Sequence, residues 1–321
     1  MSGREYTVVI RTLGKAGSKY QQELDSICSQ TLPPKEIIVY LAEGYDIPEE
    51  TCGRERYVYV KKGMVSQRAL KYEEVQTEWI LFLDDDVYLP ENAVETLFRE
   101  IEEADADVIS PSVFSNHKAT LKHKVLTAMT GKELPLPSKS RWGYKVLPTG
   151  GFAFNNNPIK PYYISQTNAG PCFLCRKQDF LRIDYKYESW LEQTMYALPD
   201  DQVMFYKMYL RGLKQLTSFD SGIVHLDAGT TMAASQDKLN KLIYSEYHNK
   251  LVFWHRFIYQ SGAHKLSAVP FVYAYTVQAI KYGLKALMGS KDGWNAFSRG
   301  VYDALSYIGS EEYKRLPAVK R

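Results

Sequence analysis

The sequence predicts an α/β protein with a mostly parallel central sheet and helices on its faces. Residues 6–10 form a β-branched run, and 36–41 form a second apolar run. Between them, 20–30 carries apolar residues at helical spacing and ends before two prolines. The order strand, helix, strand implies a right-handed crossover and a parallel pair. Residues 79–83 are five apolar residues in a row, which indicates a strand buried on both faces of the sheet.

The other predicted elements follow in chain order. Short apolar runs predict further strands at 56–60, 107–111, 170–176 and 223–226. Helical spacing predicts helices at 65–76, 90–104 and 202–211, and a mostly helical chain from 238. Between 115 and 168, repeated Pro, Gly and Asn residues break the pattern. Such an irregular stretch inside a globular protein usually carries a binding function or is mobile.

Composition and charge restrict the class of protein. The chain has 321 residues, 45% of them apolar, which is enough to bury the core of one large α/β domain or two smaller ones. A net charge of +3 is too balanced to predict nucleic-acid binding. Four cysteines do not make a disulfide framework, and the first residues do not resemble a signal peptide. We therefore expect a cytoplasmic protein with reduced thiols.

Three consecutive carboxylates, Asp84, Asp85 and Asp86, follow the buried strand. They fall at its C-terminal end, which is where open α/β sheets bind ligands. Adjacent like charges repel and raise one another's pKa unless a cation or donor groups lie among them. The arrangement therefore favours a hard divalent cation with oxygen ligands. A solvated acidic turn is the alternative, because Asp is common in turns.

Five segments in a fixed order resemble the family 2 glycosyltransferases of the GT-A fold. The first three are the first strand with the helix that ends in Ser-Gln-Thr-Leu-Pro at 29–33, the second strand, and the strand that ends in Asp84–Asp86. The other two are the segment 168–176 and Asp200-Asp201, which precede the helix that ends at Arg211-Gly212. The resemblance covers residues 6 to 260. It implies a GT-A catalytic domain over 1–235 and a helical C-terminal extension over 236–321 that packs on this domain.

The resemblance also implies a nucleotide-diphosphate sugar as donor and Mn or Mg as cofactor at a D-x-D motif. A divalent cation neutralises the charge that develops on the leaving diphosphate. Asp86 is the implied direct metal ligand, while Asp84 contacts ribose or a metal-bound water. Asp85 points the other way along an extended chain and contacts the sugar. His225 lies where some GT-A enzymes place a third metal ligand, although a lone His is more often an ordinary core or surface residue.

The family inverts the configuration of the anomeric carbon, so the acceptor hydroxyl needs a base on the opposite face of that carbon. Asp201 matches the second residue of the family's acidic pair and is the implied base, with Asp200 in the place usually held by Glu. Capping of the following helix is the alternative role for both. We also place Arg68 and Gly170 among the residues that bind the nucleotide sugar.

Two departures from the family pattern concern the donor. Arg11 and Thr12 match the position where the family contacts the nucleotide base, but the usual Asp after the second strand is missing. Glu43 is the candidate substitute, which leaves the identity of the base open. His248 stands where hexose transferases carry Arg, so the clamp on the diphosphate falls to Lys250 or Arg256, or is absent.

The C-terminal extension raises the question of membrane contact. Residues 266–280 carry no charge, but fifteen residues are too few to span a bilayer comfortably. We weigh a helix packed on the catalytic domain against an amphipathic helix on the inner membrane surface, and favour the packed helix. The resemblance implies a glycan or lipid-linked acceptor. The sequence leaves the oligomeric state open.

Two other functions share parts of the pattern. Phosphatases of the haloacid dehalogenase type carry D-x-D-x-[TV] at a strand end, which Asp84 and Asp86 imitate, but Tyr88 takes the place of Thr or Val. The second is a catalytically inactive sugar-nucleotide-binding module on the same fold, and no residue of the sequence excludes it. The intact D-x-D motif together with Asp201 favours an active transferase over such a module.

Overall fold

The computed structural model describes residues 4–113, 120–226, 235–262, 264 and 266–319. Its strands are β1 Tyr6–Thr12, β2 Glu36–Ala42, β3 Glu55–Val60, β4 Trp79–Asp84, β5 Val87–Tyr88, β6 Val108–Pro111, β7 Glu133–Leu136, β8 Tyr144–Val146, β9 Phe152–Asn155, β10 Tyr162–Ser165, β11 Cys172–Arg176, β12 Gln215–Ser218 and β13 Val224–His225. Its α-helices are α1 Ser18–Cys28, α2 Met64–Arg68, α3 Ala93–Glu103, α4 Leu121–Met129, α5 Lys177–Leu181, α6 Asp200–Leu210, α7 Gln236–Phe253, α8 Ala268–Leu287, α9 Lys291–Gly309 and α10 Glu311–Lys314. A 3₁₀ helix covers Tyr185–Gln193, and a π-helix covers Trp254–Tyr259.

An eight-stranded sheet in the order β10-β12-β6-β11-β4-β1-β2-β3 forms the centre of the molecule. The strands β4, β1, β2 and β3 are parallel, and so are β6 and β12. Only β10 and β11 run against their neighbours in this sheet. The predicted α/β class with a mostly parallel sheet is therefore confirmed.

Both faces of the sheet are buried, because successive residues of a strand point to opposite sides. Val9 and Phe82 lie in one hydrophobic core, while Val8 and Leu81 lie in the other. Since β11 is antiparallel to β4, Cys172 pairs with Leu83 and the start of β11 lies beside the end of β4. The ends of β1 and β4 and the start of β11 therefore share one edge of the sheet.

The predicted helix at 65–76 is wrong in its length, because α2 ends at Arg68. Tyr72 has a φ of 52°, which is incompatible with a continuing helix. Its ring is buried against Tyr40 and Phe82, with ring centroids 5.4 and 5.2 Å away. Packing of this aromatic side chain into the core thus overrides the local helical pattern.

The segment predicted to be irregular from 115 to 168 is partly regular. It contains α4, the edge strand β10, and a second, three-stranded sheet in the order β7-β9-β8. Pro135 lies in β7 at the edge of this small sheet, where a missing backbone N–H is tolerated. The strands are only three or four residues long, so no periodic pattern develops in the sequence. Residues 114–119 lie outside the described part of the chain.

The C-terminal helices pack on one another and on the sheet-bearing part of the chain. Tyr247 on α7 contacts Phe297 on α9, with ring centroids 4.7 Å apart. Trp254 stacks on Phe271 of α8 at 3.9 Å. Within the described residues, none of the helices combines the length and apolar character needed to cross a membrane. The division of the chain after residue 235 stays a prediction.

A buried ion group joins these helices to α6. Both oxygens of Glu188 accept hydrogen bonds from Arg256, at 3.0 and 2.9 Å, and Lys207 of α6 donates to Glu188 at 2.6 Å. Burial raises the pKa of Glu188, but the two cations outweigh this effect and hold it below its ordinary value. Arg256 also donates to the carbonyl of Pro317 at 3.1 Å. The group therefore connects the segment around Pro317 to the middle of α6.

Glu100 on α3 gives the fold a testable dependence on pH. Burial raises the pKa of its carboxyl to about 7, so folding favours the protonated acid. The stability that the protonated Glu100 carboxyl contributes is complete below its pKa in the unfolded chain, and it is lost as the pH rises through 7. As the pH rises from 5 to 8, the free energy of unfolding of Glu100→Gln should increase relative to that of wild type by about 1–3 kcal/mol. Urea unfolding at both pH values measures this difference.

The exposed Glu91, just before the same helix, supplies the control. Glu91→Gln should follow wild type at both pH values, because its side chain is exposed and Glu100 is unchanged. Parallel pH profiles for wild type and Glu100→Gln would contradict the assignment of a raised pKa to Glu100.

Candidate active site

The candidate site begins at the adjacent ends of β1 and β4. Arg11 pairs with Asp84 in the parallel register, and the guanidinium donates to Asp84 Oδ1 at 2.8 Å. The Arg11 side chain is buried, whereas Asp84 is partly open. Burial raises the pKa of Asp84 above its ordinary value, although Arg11 and Arg68 act in the opposite direction. The first carboxylate of the D-x-D motif is thus held by a cation from the neighbouring strand.

The two following carboxylates lie in the turn between β4 and β5. Thr12 donates a short hydrogen bond to Asp85 Oδ2. Burial, together with the neighbouring carboxylates, raises the pKa of Asp85 to about 6 despite this bond. Asp86 faces the other way, and its Oδ1 lies 2.9 Å from Nε2 of His225. The pairing of β5 with β13, in which His225 lies opposite Val87, brings these two side chains together.

The acidic pair Asp200-Asp201 occupies the first turn of α6 rather than the position before it. Pro199 is the N-cap residue, so the predicted alternative of helix capping is wrong for both carboxylates. Negative charge in the first turn still interacts favourably with the helix dipole. The side chains themselves contact Arg68 of α2, whose Nε lies 3.3 Å from Asp200 Oδ2 and whose Nη2 lies 2.6 Å from Asp201 Oδ1.

Arg68 is buried between these two carboxylates, and Asp84 lies close enough to raise its pKa further. The two acids are not equivalent. The side chain of Asp200 is 13% exposed, and burial raises its pKa to about 7 even though Arg68 opposes the shift. The side chain of Asp201 is 33% exposed. Asp201 therefore faces the open side of the site, and Asp200 lies behind it.

Gly170 connects the acidic pair to the D-x-D turn. Its backbone N–H donates to Asp201 Oδ2 at 3.0 Å, and the next carbonyl, that of Pro171, accepts from the Asp84 N–H at 2.8 Å. A Cβ at position 170 would come within 2.8 Å of Asp201 Oδ2 and closer still to Oδ1. Only glycine allows the backbone and the Asp201 carboxylate to approach so closely.

Asp86 and His225 fit a divalent metal ion bound jointly with a diphosphate. Within the described ranges, no group of three or more His, Cys, Asp or Glu side chains forms a complete metal site. Mg²⁺ is usually bound by one or two carboxylates plus substrate phosphates, so two protein ligands are enough. The 2.9 Å between Asp86 Oδ1 and His225 Nε2 is the distance of a direct hydrogen bond or ion pair, so the structure brings the two candidate ligands to one point.

Three other candidates lie apart from this cluster or have other partners. Glu43 follows the end of β2 and is exposed, near the edge of the sheet. Arg256 is wrong as a diphosphate clamp, because its guanidinium is buried against Glu188. Lys250 lies 3.8 Å from Glu246, and His248 is buried beside Asn249. The assignment of that clamp to Lys250 stays a prediction.

Two glutamates that support the site were not predicted. Glu192 accepts hydrogen bonds from Val65 N at 2.7 Å and Ser66 N at 3.0 Å, and so fixes the start of the helix that carries Arg68. The buried Glu23 of α1 accepts from Val87 N at 3.0 Å, directly behind the D-x-D turn. Glu192 and Val65 are 127 residues apart, so no local pattern connects them.

The parallel sheet with an Asp-rich turn at its edge, facing an acidic pair on a helix, has the arrangement of a glycosyltransferase of the GT-A fold. Residues 8–180, more than half of the chain, match the family described as Glycosyl transferase family 2. The protein belongs to this family. Family membership supports glycosyl transfer and disfavours the haloacid dehalogenase-type phosphatase.

Structural comparison finds GT-A glycosyltransferases at low sequence identity. TarS of S. aureus is 13% identical over 84% of this chain and 43% of its own, with a TM-score of 0.46. GalNAc-T7, determined with UDP, GalNAc and Mn²⁺, is 13% identical over 83% of this chain and 52% of its own, with a TM-score of 0.47. The chain thus spans about half the length of these structures. A sequence search of curated proteins gave no match.

The close contact at Gly170 generates a prediction for the site. Gly170→Ala should displace the Asp201 carboxylate and lower glycosyl transfer by roughly 100-fold, because small misplacements of reacting groups have effects of this size. The thermal midpoint should fall only slightly, since the added methyl group displaces a partly open side chain. The measurement is the rate of transfer together with thermal unfolding.

Gly309 at the end of α9 gives the control, because a Cβ there meets nothing within 4 Å. Gly309→Ala should keep the wild-type rate. A Gly170→Ala protein with full transfer activity would show that the Asp201 position is not critical.

Proposed function

We propose that this protein transfers a sugar from a nucleotide-diphosphate donor to a hydroxyl group of a glycan or lipid-linked acceptor, with inversion at the anomeric carbon. One observation carries the proposal. Arg68 and Gly170 hold the carboxylate of Asp201 beside the Asp84–Asp86 turn at the sheet edge. A candidate base and the candidate diphosphate site therefore lie next to each other.

The donor occupies the edge of the sheet where β1 and β4 end, in keeping with the general position of ligands in open α/β sheets. Arg11 and Thr12 line the side of the nucleotide base, with Glu43 further out as the candidate contact for the base. Asp84 contacts the ribose or a metal-bound water, and Asp85 contacts the transferred sugar. The short bond from Thr12 orients the Asp85 carboxylate.

Asp86 and His225 would hold the divalent cation, Mn or Mg. A bound cation of this kind would stabilise the negative charge on a leaving diphosphate. The protein's own contribution is to bring these two side chains together, with Asp86 Oδ1 2.9 Å from His225 Nε2. Glu23 supports this position from behind through the backbone of Val87.

Asp201 accepts the proton of the acceptor hydroxyl as that oxygen attacks the anomeric carbon. Its greater exposure favours it over Asp200, because a base must come within hydrogen-bond reach of its substrate. The ion pair with Arg68 fixes the direction of the Asp201 carboxylate. Asp200 pairs with Arg68 from the buried side. Its role is to hold Arg68 in position against Asp201.

The base assignment makes a prediction that separates the two acids. Asp201→Asn should lower kcat by roughly 10²–10⁴-fold, the range for loss of a general base, while donor binding persists. Asp200→Asn should have a smaller effect on kcat and a larger effect on the thermal midpoint. Asp292→Asn, which alters an exposed carboxylate on α9, is the control. Near-wild-type turnover by Asp201→Asn would exclude this residue as the base.

The metal assignment makes a second prediction. Asp86→Ala should abolish the extra stabilisation that Mn gives to the complex with a nucleoside diphosphate, because a carboxylate ligand is lost. His225→Ala should weaken the same effect. Thermal unfolding with the nucleotide, in Mn and in chelator, measures it. If Asp86→Ala still responds to Mn as wild type does, the metal lies elsewhere.

The proposal as a whole is tested by the stereochemistry of transfer. The protein is incubated with a panel of nucleotide sugars and simple hydroxyl acceptors, and NMR of the first product gives its anomeric configuration. Inversion relative to the donor supports a single displacement with an Asp base. Retention would overturn it, and an absence of transfer with intact nucleotide binding would favour the inactive binding module.

A further inference from the structure

Helix α8 has two apolar faces, and only one of them is covered. Phe271, Ala274, Gln278 and Tyr282 are buried on the side that packs on the protein. The opposite side carries exposed apolar residues along the whole helix and just beyond its end, which we call the α8 stripe. They are 55% to 86% exposed: Val269, Val272, Ile280, Leu284, Leu287 and Met288. An exposed row of this length marks an interaction surface.

Trp294, near the start of α9, adjoins the stripe. A Cβ on Gly283 would lie 3.8 Å from its ring, which places the indole against α8 between Ile280 and Leu287. The Trp294 side chain is 37% exposed. Tryptophan is enriched where proteins meet the boundary between water and lipid, because the ring is apolar and its N–H is polar.

The surroundings of the stripe are cationic. From Lys265 to Lys291 the sequence contains four lysines and no Asp or Glu. Lys285 and Lys291 are exposed, and Lys281 is half-buried on the same helix. A helix with an exposed apolar row, two lysines and no carboxylate complements a surface that is apolar inside and negatively charged outside.

We propose that the α8 stripe docks the protein on an anionic lipid bilayer, with α8 lying in the plane of the surface. A second copy of the chain fits this face poorly. A two-fold interface would place the lysines of both copies against each other without an acidic partner on α8.

The covered face of α8 leads towards the candidate active site. Phe271 stacks on Trp254, and Trp254 Nε1 donates to the carbonyl of Pro148 at 3.1 Å. The carbonyl of Gly150 accepts from Gln202, the residue after Asp201, at 3.1 Å. This placement suits a lipid-linked acceptor, a consequence that rests on the proposed function. The docking itself does not depend on it.

Vesicle binding by the full chain tests the docking without any donor or acceptor. Vesicles of phosphatidylcholine mixed with phosphatidylglycerol should retain the protein, and phosphatidylcholine alone should retain much less. The triple variant Ile280→Ser, Leu284→Ser, Leu287→Ser should bind at least about tenfold more weakly, because three apolar side chains no longer enter the lipid. Lys281→Gln with Lys285→Gln should weaken binding and reduce its dependence on salt.

Matched controls alter equally exposed residues elsewhere. Ile159→Ser, at a side chain that is 65% exposed, and Lys71→Gln, at an exposed lysine, should bind as wild type does. The Trp294 fluorescence, isolated by comparison with Trp294→Phe, should shift to the blue only with anionic vesicles. Transfer to a water-soluble acceptor should survive the serine substitutions, which separates this proposal from the proposed function.

Two results would overturn the proposal. One is an absence of binding to anionic vesicles, or binding that the serine variant retains in full. The other is a dimer in lipid-free solution, seen by light scattering, that the serine substitutions dissociate. Such a dimer would assign the stripe to a second copy of the chain.

Discussion

The candidate site depends on the buried guanidinium of Arg68. It lies between Asp200 and Asp201, with Asp84 nearby, so one cation faces three carboxylates. A buried charge is strongly destabilising unless it is paired, and removal of one partner leaves the others uncompensated. The positions of α2, α6 and the end of β4 are therefore coupled. Glu192 completes the arrangement by fixing the start of α2.

The second ion group, around Glu188, extends this coupling to the C-terminal helices. Lys207 lies on α6 two turns beyond Asp200, and it shares Glu188 with Arg256. A shift of the π-helix at Trp254–Tyr259 would separate Arg256 from Glu188 and break a buried ion pair, which is energetically unfavourable. The C-terminal region thus stabilises the helix that presents the acidic pair.

The sequence predicted the sheet well because its strands are unusually apolar. The run at 79–83 and the consecutive β-branched residues in β1 and β2 have few other interpretations. The ends of parallel strands share an edge, so the proximity of Arg11 and Asp84 followed from topology. The resemblance to a family supplied Asp201 and His225, whose roles no local pattern defines.

Long-range side-chain contacts account for what was missed. The support from Glu23 and Glu192 depends on residues far apart in the chain, and neither lies in a recognisable motif. The early end of α2 follows from the burial of Tyr72, which a helical periodicity does not reveal. Arg256, one of the alternatives for the diphosphate clamp, is instead paired with Glu188 in the core.

The central claim is that the sheet edge at Asp84–Asp86 binds a nucleoside diphosphate together with a divalent cation. Thermal unfolding against UDP, GDP, dTDP and CDP, each with Mn and each with chelator, tests it most directly. A ligand at about 100 times its dissociation constant adds roughly 2.7 kcal/mol of stability, which moves the midpoint visibly. We predict a metal-dependent shift with at least one nucleotide. No shift with any of the four would contradict the account.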